Sequence, residues 1–422
     1  MRLARHKPRA WRTRPGRVAG AVALAAVLGL ALGGCDAGTA RSAAGSVAAA
    51  GASSAAAIAG SSPAGAVSQA VPSYYAEATA ARGPGYDGPD EITIRVTRTG
   101  AALATVRPRA PYQSFGYLYA TGRPDVWIAG AQRWLPVRQD NSAQPVTLFT
   151  VTFSPVTRKV TLSRLPVPVL PGSALAAVAL SPDGGRLAVA TLAPPSGRSR
   201  RHPGGIRLSV YPLAGSAAAA ATRELATIPY PAAAGEYSLT WLADGQSLAG
   251  GGPVGTGART PAAVVYADGA SPGLPVIKTV RLSFPRGGKE SIGSATAPPQ
   301  TCTGAPLVTS DGQSVICAGA AATVLNFGGA VNVGVWEFSA ATGRLTATWD
   351  RHFTCCAFSV YPAVLWASPD GATVIADGLT QANSGAILYI RPPDGHLRRI
   401  PWPGASHHPD DPLNTIEPPV AW

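Results

Sequence analysis

Acidic side chains are scarce in this 422-residue chain, with 22 Asp and Glu against 35 Lys and Arg, and only six His and five Cys beside them. Eight of the acids (Asp87, Asp183, Asp244, Asp268, Asp311, Asp370, Asp377 and Asp394) are followed directly by Gly. Asp-Gly combines a carboxylate that hydrogen-bonds the local backbone with a residue that tolerates positive φ, so turn geometry accounts for those eight. The remaining acids are scattered, with no pair at a spacing that serves general acid–base work. No long amphipathic helix can be traced after residue 73. A Cys-x-x-Cys redox pair is absent, and Gly255-Thr256-Gly257 lacks the third glycine and the helix of a dinucleotide loop. No cofactor is expected.

The chain does have repeats. Six times a tight turn of the Asp-Gly kind or its equivalent joins two apolar strands, at intervals near sixty residues; the clearest are Ser181-Pro182-Asp183-Gly184, Ala243-Asp244-Gly245, Ser310-Asp311-Gly312 and Ser368-Pro369-Asp370-Gly371. Read as a two-residue hairpin turn, Asp-Gly supplies the positive φ angles required. Inner hairpins are expected near 114–131, 172–191, 236–251, 307–319 and 362–378, and outer hairpins near 147–165, 206–228, 263–282, 333–349 and 386–401. Val335-Trp336-Glu337-Phe338-Ser339, a Gly343 turn, then Leu345-Thr346-Ala347-Thr348-Trp349 shows the alternation of a half-buried antiparallel pair. Repeats of this period imply an all-β fold, a single β-propeller in which no blade buries its faces alone. Ile92–Val106 is an outer hairpin without an inner one, and Pro419-Val420-Ala421-Trp422 resembles the start of an inner strand. The two ends are therefore expected to share one closing blade. The expected count is six blades, or seven if residues 73–91 hide a further strand.

The stretch Val178-Ala179-Leu180-Ser181-Pro182-Asp183-Gly184-Gly185-Arg186-Leu187-Ala188-Val189-Ala190 resembles the repeat core of WD40-like propellers of the TolB type. Residues 73–422 as a whole are similar to a group of actinobacterial WD40-repeat lipoproteins. The Gly-His and Trp-Asp pairs of true WD40 repeats are absent as a series, Trp349-Asp350 occurring once. The resemblance implies a blade turn and carries over no catalytic residue.

Residues 1–17 hold seven Lys or Arg and no acid, and an uncharged apolar run from Val18 to Leu32 ends in Leu32-Gly33-Gly34-Cys35. This is the pattern of a secretory signal over residues 1–34. Its ending resembles a bacterial lipobox, which implies acylation of Cys35. The competing reading is an uncleaved anchor, although 17 residues are at the bottom of the spanning range. Either way the domain is expected to be tethered to the cell membrane on its extracytoplasmic side. Residues 35–72 follow as a tether; 27 of the 36 residues from 37 to 72 are Ala, Ser or Gly. As a flexible coil it would reach roughly 30–36 Å. Without the seven basic residues of the signal the formal charge falls from +13 to +6, a mildly basic surface that gives no argument for nucleic acid.

Each motif that hints at chemistry has a simpler reading. Gly269-Ala270-Ser271-Pro272-Gly273 matches Gly-x-Ser-x-Gly but sits in a hairpin loop with no helix after it. His407-His408-Pro409-Asp410-Asp411 has ligand residue types without ligand spacing, and Asp87, Asp90 and Glu91 read as an ordinary turn, so no metal is expected. Arg198-Ser199-Arg200-Arg201-His202 reads as a basic solvated loop able to meet anionic head groups or teichoic acid. With Cys35 consumed by lipid, Cys302, Cys317, Cys355 and Cys356 are an even set in an oxidising compartment. They are expected to cluster on one face, with either Cys302–Cys317 or a cross-blade pair oxidised.

The long connections, 132–146, 193–205, 283–306, 350–361 and 402–414, alternate with the Asp-Gly turns and so share one rim. That rim carries Trp134, Arg138, Arg200, Arg201, Arg351, His352 and Trp402, and Trp and Arg are common interface anchors. The expected function is a non-enzymatic binding or scaffold module, a tethered monomer that meets an envelope protein, peptide or glycan. The alternative is a propeller enzyme of lyase, lactonase or hydrolase type with its site over the central channel. A third reading is an assembly subunit docked on an integral membrane partner.

Overall fold

A computed structural model describes residues 71–79, 91–133, 145–171, 175–193, 204–213, 221–228, 237–253, 262–284, 302, 305–323, 330–354, 360–369, 373–379, 387–391, 398–400 and 420–421, with only the backbone described for part of the later strands. The described residues all lie in the compact unit Ile58–Trp422, and none is helical. The signal, Cys35 and the greater part of the tether lie outside them.

Five blades are cut from continuous chain. The first is β4 (Ser114–Ala120), β5 (Val126–Gln132), β6 (Pro145–Ser154) and β7 (Lys159–Arg164), with a short β8 (Leu170–Pro171) added to β6. The second is β9 (Leu175–Leu180), β10 (Arg186–Ala193), β11 (Gly204–Pro212) and β12 (Ala221–Ile228). The third is β13 (Ser238–Trp241), β14 (Ser247–Pro253), β15 (Ala262–Asp268) and β16 (Val276–Arg281). The fourth is β17 (Leu307–Val308), β18 (Ser314–Thr323), β19 (Ala330–Ser339) and β20 (Leu345–Thr354). The fifth is β21 (Val360–Ala367), β22 (Thr373–Leu379), β23 (Ile387–Arg391) and β24 (Arg398–Ile400). Every neighbouring pair within a blade is antiparallel, so each blade is a four-stranded meander.

A further sheet joins the two ends of the chain in the order β25 (Val420–Ala421), β1 (Tyr74–Thr79), β2 (Glu91–Val96), β3 (Ala102–Val106). The expectation of six blades, one of them shared by the two chain ends, or of seven, is corrected to five. Five blades are continuous, the remaining sheet is a composite closure, and the strand hidden in 73–91 builds no seventh blade because it is consumed as β1. The closure also differs in its pairing. The C-terminal strand bonds to β1 (Ala76 opposite Ala421, Glu77 opposite Val420), and not to the Ile92–Val106 hairpin directly. The physical reason is that the hairpin supplies only the two outer strands, leaving two inner positions to fill.

The innermost strands touch in cyclic order, β4 to β9, β13, β17, β21, β25 and back to β4. The core lies in the seams between sheets. Ala76, Ile92 and Ile94 of the closing sheet meet Phe115, Trp127, Phe149 and Val151 of the first blade, and Val126, Ile128 and Leu148 meet Leu175, Val178 and Leu187 of the second. Tyr237, Leu239 and Trp241 of the third blade pack on an alanine-rich wall, Ala176, Ala177, Ala179, Ala188 and Ala190. Alternate residues of one strand therefore serve two different seams, as period-two side-chain alternation requires. Two indoles pin seams to backbone: Trp127 Nε1 donates to Ala421 O and Trp241 Nε1 to Ala179 O, both at 3.1 Å.

The inner turns are not two-residue hairpins. Ser181 N donates to Arg186 O at 2.9 Å and Gly184 N to Ser181 O at 2.8 Å, and the same pair of bonds recurs at Leu242/Ser247 with Gly245 and at Thr309/Ser314 with Gly312. Four residues are thus looped out, and only the glycine has positive φ, 74°, 66° and 71° in the three copies. The Asp side chain explains the preference: its carboxylate caps the amide two residues on, which favours a type I turn followed by a left-handed Gly.

Candidate functional site

In every blade the first and third turns fall on one side of the sheet and the second turn and the blade-to-blade connection on the other. The Asp-Gly side is built of self-contained turns. Asp183 Oδ1 accepts from Gly185 N at 2.9 Å and from the Ser181 hydroxyl, which itself accepts from Arg186 N at 2.9 Å. Asp311 Oδ1 accepts from Thr309 Oγ1 at 2.7 Å, and that hydroxyl accepts from Ser314 N at 3.0 Å. Asp244 accepts from Gln246 N and Ser247 N, each at 2.8 Å, and from Ser247 Oγ at 2.7 Å. These donors set the protonation. The Ser181 hydroxyl, followed by the Gly185 amide, holds Asp183 below the usual carboxylate range. Partial burial pushes Asp244 up, but the Ser247 and Gln246 donors outweigh it and the net shift is down.

The Gly-x-Ser-x-Gly match behaves the same way. Ser271 Oγ donates to Asp268 Oδ2 inside its own turn, and Asp268 Oδ1 also accepts from Ala270 N at 2.9 Å and Ser271 N at 3.1 Å. The Ser271 hydroxyl bond is the main reason Asp268 lies below the usual range. This serine is a turn cap, with Gly273 at φ 81° completing the loop.

Toward the channel, the described parts of β4, β9, β13 and β17 read Ser114-Phe115-Gly116-Tyr117-Leu118-Tyr119-Ala120, Leu175–Leu180, Ser238-Leu239-Thr240-Trp241 and Leu307-Val308. Their titratable groups are the hydroxyls of Tyr117 and Tyr119, both raised by desolvation. Among the described residues no three His, Cys, Asp or Glu side chains gather as metal ligands do.

One buried ion pair escaped the sequence reading. Glu77 on β1 is fully buried and its carboxylate takes the Arg95 guanidinium of β2, while Arg95 Nη1 also donates to Gly100 O at 3.1 Å. Alternation places Glu77 and Arg95 opposite the face bearing Ala76 and Ile94, away from the first blade. The signal was available in the strand period, but only once β1 was recognised as a strand.

On the long-loop side the fourth blade is tied down. A disulfide joins Cys302 to Cys317 of β18, Cα to Cα 5.7 Å, and the Ser238 hydroxyl donates to Pro306 O across the seam. Phe284, at the other end of that connection, packs edge-on to Trp336 and Phe338 at 5.4 and 5.0 Å. Of the rim residues, Arg351 and His352 fall near the end of β20, opposite Val333 and Asn332, with their backbone alone described. Trp134, Arg138, Arg200, Arg201 and Trp402, together with Cys355 and Cys356, lie outside the described residues.

No known family matches the chain, and no curated protein matches it. Solved structures do. A Dos1 propeller is 9% identical over 74% of this chain and 64% of its own, with a TM-score of 0.34. The propeller domain of the trilobed protease from Pyrococcus furiosus, described as having an open velcro topology, is 10% identical over 69% of this chain and 84% of its own, TM-score 0.31. A hypothetical selenium-binding protein from Sulfolobus tokodaii is 10% identical over 78% and 74%, TM-score 0.37. This chain spans less than two thirds of the length of the first of these. The strand order and the cyclic contacts of its own sheets make it a β-propeller.

Proposed function

We propose that this chain is a membrane-tethered, extracytoplasmic β-propeller of the WD40-like, TolB-type kind that binds a protein, peptide or envelope glycan through its long-loop rim and catalyses no reaction on it. The observation that carries this reading is how the carboxylates are used. Asp183, Asp244, Asp268 and Asp311 each cap their own turn, and Glu77 is paired with Arg95. Acid–base chemistry needs carboxylates free to exchange protons with a substrate, and these are occupied by the fold. Loops on a rigid scaffold are the usual seat of binding, and here the longest connections share one side.

The test is photo-crosslinking and recovery from native envelopes with the intact chain, compared with Cys35→Ala. The reading expects a specific partner recovered with the intact chain and loss of fatty-acid label from the Cys35→Ala protein. Equal labelling of both proteins refutes the tether. Turnover of a lactone, glycan or peptide substrate by the purified propeller refutes the non-enzymatic role.

A further inference from the structure

Positive charge is distributed unevenly around the ring. Residues 91–171, which form β2, β3 and the first blade, hold ten Lys or Arg and three acids, whereas residues 172–422 hold sixteen and fifteen. Most of the excess cation of the domain therefore lies in the closing sheet and the first blade, which meet at one seam. There β3 lies against β7, and Val106 and Val160 pack on the same core. Arg98, in the β2–β3 turn, and Lys159, beside Val160, reach the surface at the Asp-Gly end of this seam, both exposed, while Arg107 and Arg109, past the end of β3, emerge on the long-loop side. Arg107 faces Glu91 at 3.4 Å in an exposed pair.

The β6–β7 turn at this seam departs from its counterparts. The left-handed position is Gly100 in the closing sheet, Gly273 in the third blade and Gly343 in the fourth, but Arg158 in the first, at φ 52°. A side chain there is held against a conformational preference that glycine does not have. The other such residue, Leu274, fills the core with a fully buried side chain. Arg158 has no such compensation: it is exposed and makes no hydrogen bond or ion pair among the described residues. A strained residue that does nothing for the fold points to a role outside it. Two residues earlier, Val156 is 93% exposed, the most exposed large apolar side chain among the described residues.

We propose that the Asp-Gly end of this seam docks on an anionic phospholipid bilayer, with Val156 entering the head-group layer and Arg98, Arg158 and Lys159 meeting lipid phosphates. An apolar residue at the apex with cations set just behind it matches the polarity gradient of a membrane interface, where long basic side chains reach the phosphates while aliphatic groups enter deeper. An acidic protein or soluble polyanion would use the cations and leave the apex in water. The β6–β7 turn is on the Asp-Gly side, so docking there turns the long-loop rim away from the membrane. The proposal is independent of what that rim binds.

The experiment is hydrogen exchange of residues 154–160 in the full chain, incorporated by detergent dialysis into phosphatidylcholine vesicles with and without phosphatidylglycerol. A tether would be common to both preparations, so only docking responds to lipid charge. Exchange should slow at least tenfold in the anionic vesicles alone, and the slowing should fade with salt. Arg158→Gly combined with Lys159→Ala should abolish it, since each basic residue near an anionic surface contributes about fivefold and the pair about 30-fold. Arg158→Gly removes the strained conformer, so an unchanged or raised melting temperature shows that the variant folds. Equal exchange in the two vesicles, or slowing that needs native envelope rather than lipid, overturns the proposal.

Discussion

Removing residues 418–422 deletes β25 and opens the ring at its closing sheet. Three losses can be added up. The Trp127 indole N–H, buried and bonded to Ala421 O at 3.1 Å, is left without its acceptor, about 1–3 kcal/mol. Pairing of Val420 and Ala421 with Glu77 and Ala76 goes, about 1 kcal/mol for each net bond. Ala421, 3% exposed, gives up its contacts with the core, about 0.8 kcal/mol for a methyl-sized group. The total is about 4 kcal/mol. Unfolding entropy of about 2.1 cal/mol/K per residue over a domain of roughly 350 residues makes that a fall of about 5 °C in Tm. The assay is scanning calorimetry of intact and truncated chains, repeated with Trp127→Phe. If the indole bond is the main term, Trp127→Phe should be clearly less damaging in the truncated chain than in the intact one. A truncated chain melting within about 1 °C of the intact one refutes closure through β25.

Three further outcomes follow from other contacts. Cys302→Ser should lower stability by about 3 kcal/mol, the scale for a cross-link closing a loop of 15 residues, and unreduced digests should contain the Cys302–Cys317 peptide pair; free thiols at both would contradict this. Asp183 and Asp244 have folded-state pKa values below their unfolded values, so the stability they contribute is complete above about pH 4 and is lost as pH falls through the lower folded values. Converting both to Asn should flatten acid unfolding below about pH 4, and an unchanged acid limb would show that these caps do not matter. Gly343→Ala, at φ 71° and with a Cβ colliding with Arg281 O of the third blade, should destabilise by more than about 2 kcal/mol, whereas Gly245→Ala, at φ 66° in open space, should lose about 1 kcal/mol; denaturant titration separates them.

The inner and outer hairpins were legible because two local signals agree, alternation of Val, Ile, Thr and Trp along the strands and Asp-Gly between them. The five inner and five outer hairpins overlie β4–β7, β9–β12, β13–β16, β17–β20 and β21–β24. Strand β1 was not legible: Tyr74–Thr79 is followed by a Gly- and Pro-rich stretch, and nothing local announces that it pairs with both β2 and the far end of the chain. Turn type was misread because Asp-Gly serves two-residue and four-residue loops alike, and the choice depends on where the carboxylate finds its amides. The basic seam was hidden for a different reason. Arg98 and Lys159 are 61 positions apart, and only the contact of β3 with β7 brings their two turns to one edge. The rim anchors rest on residue type and loop length, signals that mark a surface without ordering it.

The central claim is that the long-loop side binds, and one comparison tests it most directly: crosslinked capture of the partner by the intact chain, by Trp134→Ala/Arg201→Ala/Arg351→Ala, and by Asp183→Asn/Asp244→Asn on the turn side. The account predicts that the rim variant loses at least tenfold in capture with its melting temperature unchanged, while the turn variant still captures at neutral pH. Undiminished capture by the rim variant, with loss in the turn variant, would contradict it.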